Sequence, residues 1–174
     1  MAKKILAFVN MILVLIAIFL LQTLVIDGRE LFGVKPNLIL ITVIVVALKY
    51  GVYVGVTYSA IIGIITDLMF GNTYGMFTLC YLITGTVISI INNNYRKENK
   101  IALVYVTLIA SAIFEVVQYF IYLLRTGVYS NILNLLVQIV LSAILNVILV
   151  YIIHALLFKI LKYFDKNIEE YDVK

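Results

Sequence analysis

Hydrophobic residues gather into six runs, with most of the charged residues left to the gaps and the C-terminus: Ile5–Ile26, Leu38–Leu48, Val52–Phe70, Met76–Ile91, Ile101–Leu124 and Ile132–Leu161. A helix needs roughly 20 apolar residues, within a range of about 17–25, to cross a bilayer core. The first, third, fifth and sixth runs satisfy this directly. Met76–Ile91 does so once Thr73–Gly75 or Asn92 is included. Leu38–Leu48 rises only about 16 Å against a core of about 30 Å, and reaches about 22 Å when extended over Pro36–Tyr50. It is either a short span or one arm of a hairpin with the next helix. The pattern therefore predicts an all-α integral membrane protein of about six transmembrane helices in one domain. The helices are expected near 5–26, 36–50, 51–70, 74–92, 101–124 and 132–161, followed by a tail at 162–174.

Composition supports the same solvent. Of 174 residues, 64% are hydrophobic and 13% charged, with a mean hydropathy of +1.13. A soluble domain averages about 45–50% apolar and about 25% charged, and a chain this short cannot hide the excess in a core. The net charge of +4 lies in the gaps between apolar runs and forms no basic face, so it reports topology and excludes nucleic-acid binding as its explanation. With six helices and an internal N-terminus, ten of the 13 Lys and Arg fall inside, leaving Arg29, Lys35 and Arg125 outside. Both termini are then cytoplasmic. Lys3 and Lys4 precede an apolar stretch too long for a signal peptide, with no small-residue cleavage site, so the first run is expected to persist as a helix. Tyr50, Tyr53, Tyr74, Tyr95, Tyr129 and Tyr163 stand at or near helix ends, where a ring stays apolar and its hydroxyl wet.

Small residues recur every four positions on the third helix: Gly51, Gly55, Ser59, Gly63, then the acid Asp67. That spacing follows one ridge of a helix and turns it into a groove that another helix can approach closely. The groove accepts either a helix of the same chain or a partner's. Asp67, near the helix end, has three readings: it caps neighbouring backbone N–H groups, forms an interior polar pair, or titrates. The last helix carries Asn134, Gln138, Ser142 and Asn146, again every four, as glue between helices or as the lining of a ligand site. Glu115 is the deepest charge, with Gln118, Tyr119 and Tyr122 on its face. An intramembrane acid is either structural or linked to a proton or ligand. Cys80, the single cysteine, reads as a small buried hydrophobe, and His154 lacks neighbours at metal-ligand spacing. Motifs for zinc enzymes, serine hydrolases, aspartyl dyads and phosphate loops are missing, so neither an enzyme nor a cofactor is expected.

The stretch PNLILITVIVVALKYGVYVGVTYSAIIGIITDLMFGNTYG, residues 36–75, resembles the rod shape-determining MreD family. The likeness rests on Pro36-Asn37 opening the second helix, Gly63-Ile-Ile-Thr-Asp67-Leu68 closing the third, and Asn72-Thr73-Tyr74-Gly75 in the turn. Ser59 stands where a glycine is common in the family. The resemblance implies a bacterial inner-membrane scaffold of the cell-elongation machinery. It implies direct docking of MreC and a wider assembly of MreB, RodA and a penicillin-binding transpeptidase. It further implies a fold similar to the substrate-binding subunits of energy-coupling-factor transporters. In that reading Gly51, Gly55, Ser59, Gly63 and Asp67 form the partner-binding stripe. The rival reading is a vitamin-binding membrane subunit of such a transporter, although the alanine stripe common in the first helix of those subunits is missing here. A third reading is an ion-linked carrier using Asp67 and Glu115.

Overall fold

The computed structural model describes residues 16–23, 34–70, 75–91, 100–129 and 131–172. They are helical throughout apart from short connections: α1 (16–23), α2 (Leu38–Tyr50), α3 (Val52–Phe70), α4 (Met76–Ile91), α5 (Lys100–Thr126) and α6 (Ile132–Asp172). Three helices are long and apolar enough to cross a membrane, over Val52–Met69, Ile101–Thr126 and Ile132–Ala155, and α2 and α4 are shorter apolar helices. The expected boundaries shift by one or two residues for most elements. The expected tail is a larger change, because α6 continues as helix to Asp172. Lys3, Lys4, Arg29, Arg96, Lys97, Tyr74, Tyr95 and the motif residues Asn72 and Thr73 lie outside the described residues.

The short second run becomes the centre of the fold. Every residue from Leu38 to Ala47 is buried, and α2 packs against α3, α4, α5 and α6. Its sequence is apolar all round, which is what a helix with no solvent-facing side requires. One side, with Leu40, Val43 and Ile44, meets Ile88 of α4 and Val106 and Phe114 of α5. The other side, with Leu38, Ile41 and Val45, meets Ile18 of α1 and Val150 and Ile153 of α6. Gly51 joins α2 to α3 at φ +80°, a conformation that side chains with a Cβ disfavour, and the two helices pack against each other. The outer surface is apolar in turn. Tyr53 (89% exposed), Leu68 (71%) and Ile152 (66%) point outward, as lipid-facing positions do.

The four-residue stripe of α3 does pack closely, and the helix that fills it is α4 of the same chain. Gly55 faces Ser89, Ser59 faces Gly85 and Gly63 faces the backbone of Thr78, with Ala47 of α2 also against Gly55. Small residues alternate between the two helices, so each glycine receives the neighbour's hydroxyl-bearing residue. Both serines return their hydroxyl protons to the carbonyl four residues earlier, Ser59 to Gly55 and Ser89 to Gly85, each at 2.6 Å. Neither serine hydroxyl of this contact lacks an acceptor. The groove expected to accept either a helix of this chain or a partner's is occupied by α4 at Gly55, Ser59 and Gly63. Gly51, at the start of the stripe, meets nothing.

This interdigitation yields a suppressor test. A Cβ on Gly85 would collide with Ser59 Oγ and sit 2.7 Å from its Cβ. Overpacking of this kind costs about 1–3 kcal/mol. Gly85→Ala is expected to lower the melting temperature in detergent, and Ser59→Gly to restore most of the loss in the double variant. Additive losses would show that the two residues do not share one contact.

Candidate functional site

Two helices begin inside the protein, and Asn37 and Asp67 of the sequence motif serve their N-termini. The first N–H groups of a helix have no partner within it, and in lipid each unsatisfied group costs several kcal/mol. For α4 the partner is Asp67, which reaches over from α3. Its two carboxylate oxygens accept from the N–H groups of Phe77 and Thr78, each at 2.9 Å, and from the Thr78 hydroxyl. The carboxylate is 4% exposed. Gly63 makes this possible one turn earlier, where a Cβ would stand 2.5 Å from Thr78 Cα. The glycine, the acid and the turn closing on Gly75 (φ +87°) work as one device. Of the three readings of Asp67, the observed contacts are those of a cap.

For α2 the cap is shared among five helices. Asn37 is the N-cap, and its Oδ1 accepts from Leu40 N at 2.8 Å and from the Tyr81 hydroxyl of α4 at 3.1 Å. Gln22 of α1 brackets the same strand of chain: its Oε1 accepts from Leu38 N at 2.7 Å and its Nε2 donates to Pro36 O at 3.0 Å. Asn146 of α6 accepts from Asn37 N at 3.1 Å and donates to Ser111 of α5 at 3.0 Å. Pro36, which has no N–H to satisfy, leads into this cluster.

Above the cluster lies a cavity of about 600 Å³. Its origin is the length of α2. Thirteen residues rise about 20 Å, short of a bilayer core of about 30 Å, while α5 and α6 continue past its N-terminus. Pro36, Asn37 and Ile39 line the space on the α2 side and Phe77 and Tyr81 on the α4 side. Across from them stand Glu115, Gln118, Tyr119 and Tyr122 of α5 and Gln138 of α6, with Lys35 also on the wall. Glu115 is partly buried and within hydrogen-bonding reach of Ser142.

The polar residues singled out from the sequence divide accordingly. Glu115, Gln118 and Gln138 share the cavity. Asn146 is 2% exposed and lies with the α2 cap. Asn134 is exposed on the first turn of α6 and does not line the cavity. Cys80 is fully buried, and no group of metal-ligating side chains occurs among the described residues. Gln22, Tyr81 and Ser111 were not expected. A glutamine near the end of an otherwise apolar run was the available signal for the first, and nothing local marked the other two.

A family model for the rod shape-determining protein MreD matches residues 2–164. No curated protein and no solved structure matches the chain, so the expected likeness to the substrate-binding subunits of energy-coupling-factor transporters finds no support.

Proposed function

The chain belongs to the MreD family of rod shape-determining proteins, and from that premise we propose that it is a non-enzymatic scaffold of the bacterial cell-elongation machinery. It sits in the cytoplasmic membrane with both termini inside and docks MreC directly. It links the MreB cytoskeleton to peptidoglycan synthesis, with RodA and the penicillin-binding transpeptidase in the wider complex. The observation that carries the reading is the family match over nearly the whole chain. The geometry adds support: Asn37 and Asp67 of the motif cap α2 and α4, which suits a rigid platform on which another protein's helix is held.

Because α4 fills the small-residue stripe, the docking face is sought on the outer surface. Photocrosslinking residues placed singly at the outward positions Ile61, Ile64, Val137 and Val140 are expected to trap MreC from one side of the protein and not the other. The same variants should restore rod shape to cells lacking the protein. MreC trapped from none of these positions, or from both sides alike, would refute direct docking on a defined face.

A further inference from the structure

The cavity above α2 carries charged and amide side chains that the caps around it do not use. Two helix N-termini border the space, and either could attract an anion. Both are already occupied, that of α2 by Gln22 and Asn37 and that of α4 by Asp67. The wall across from them offers the acid Glu115, the amides of Gln118 and Gln138, and the ring of Tyr122, with Phe77 on the α4 side. A carboxylate away from water is stabilised by a cation, and ring faces attract an ammonium as well. Lys35, exposed at the cavity wall, supplies the opposite charge.

We infer that this cavity binds a zwitterion carrying a primary ammonium and a phosphate, and that its occupant is the headgroup of an aminophospholipid. Glu115 and Tyr122 receive the ammonium, and Lys35 faces the phosphate. A lone basic side chain from a partner protein would answer Glu115 but bring a like charge toward Lys35, so it fits the wall less well. The acyl chains have a place to run, since Leu124, Ile132 and Leu136 of α5 and α6 are exposed and apolar beside the cavity's end of the bundle. Nothing here depends on the scaffold reading, which concerns the outer faces of the helices.

The full chain, purified in mild detergent, is offered equal amounts of phosphatidylethanolamine and phosphatidylglycerol with identical acyl chains, and retained lipid is counted by native mass spectrometry. Phosphatidylethanolamine is expected in at least a fivefold excess. Glu115→Gln and, separately, Gln118→Leu are expected to reduce that excess to near parity while the melting temperature without lipid stays close to wild type. Equal retention of both lipids by the wild type, or an unchanged excess in both variants, overturns the assignment. Soluble phosphoethanolamine is the second arm. Protection against thermal unfolding equal to that by the lipid would overturn the lipid source in favour of a small solute. A third arm adds MreC: Glu115-dependent protection that arises with MreC and not with phosphatidylethanolamine would give the cavity to a basic side chain of that partner and overturn the proposal.

Discussion

Asp67→Ala is expected to lower the melting temperature of the purified protein by about 10 °C and to cut its steady-state level in the membrane several-fold. The substitution removes the acceptors for the N–H groups of Phe77 and Thr78 and for the Thr78 hydroxyl. Water cannot replace them well at a site 4% exposed. A buried donor left without a partner costs about 1–3 kcal/mol, so two give about 3 kcal/mol or more, and each kcal/mol moves the midpoint of a chain this size by roughly 2–4 °C. Asp67→Asn keeps one oxygen and should fall between wild type and alanine. Gly63→Ala is expected to reach the same end by another route. Its Cβ would stand 2.5 Å from Thr78 Cα, and backbone cannot swing aside as a flexible side chain would. The N-terminus of α4 must move away, out of reach of the carboxylate. The two losses should therefore overlap, and the double variant should melt little below the worse single one. Full additivity would mean that Gly63 and Asp67 do not act on α4 together.

The same pair shows how far the sequence could be read. The four-residue spacing of Gly55, Ser59 and Gly63 announces a close helix contact, because a ridge without side chains is a groove whatever fills it. α4 packs against α3, and the complementary small residues of α4, Gly85 and Ser89, only acquire meaning once the two helices lie against each other in register. Asp67 was legible as a cap but its client was not, since the N–H groups it serves lie ten and eleven residues away. The shortness of the second run was legible too, and it holds more information than a doubtful span. A helix too short for the bilayer, lying between longer ones, must leave room at one end, and that room is the cavity. The stripe Asn134, Gln138, Ser142 and Asn146 divided for a related reason: it climbs α6 past three environments, from an exposed first turn, through the cavity, to the buried cap. Tyr81 gave no advance sign, because its ring belongs to the apolar core and only its hydroxyl, at the far end, belongs to the polar cluster.

Asn37→Leu is expected to be the most damaging single change at the other cap, lowering the melting temperature by about as much as Asp67→Ala. Asn37 Oδ1 receives two donors, Leu40 N and the Tyr81 hydroxyl, and Tyr81 is 2% exposed. Leucine fills the volume but leaves both donors without an acceptor, at about 1–3 kcal/mol each. Asn37→Asp keeps the acceptor and places negative charge at a helix N-terminus, where it is favoured by about 0.3–1 kcal/mol or more. It should therefore retain most of the stability, and it tests whether acceptance alone is what the position requires. The backbone N–H of Asn37 still bonds to Asn146 in both variants, so Asn146→Leu should cost further stability on the Asn37→Leu background. Because α2 touches α3, α4, α5 and α6 and meets Ile18 of α1, loosening its first turn is expected to disturb the cavity and the outer faces at once. Cells relying on Asn37→Leu should round up even when the protein is overproduced to wild-type amounts, whereas Asn37→Asp should keep them rod-shaped. Rod shape sustained by Asn37→Leu at matched abundance would show that the cap serves stability alone and that the platform works without a fixed α2.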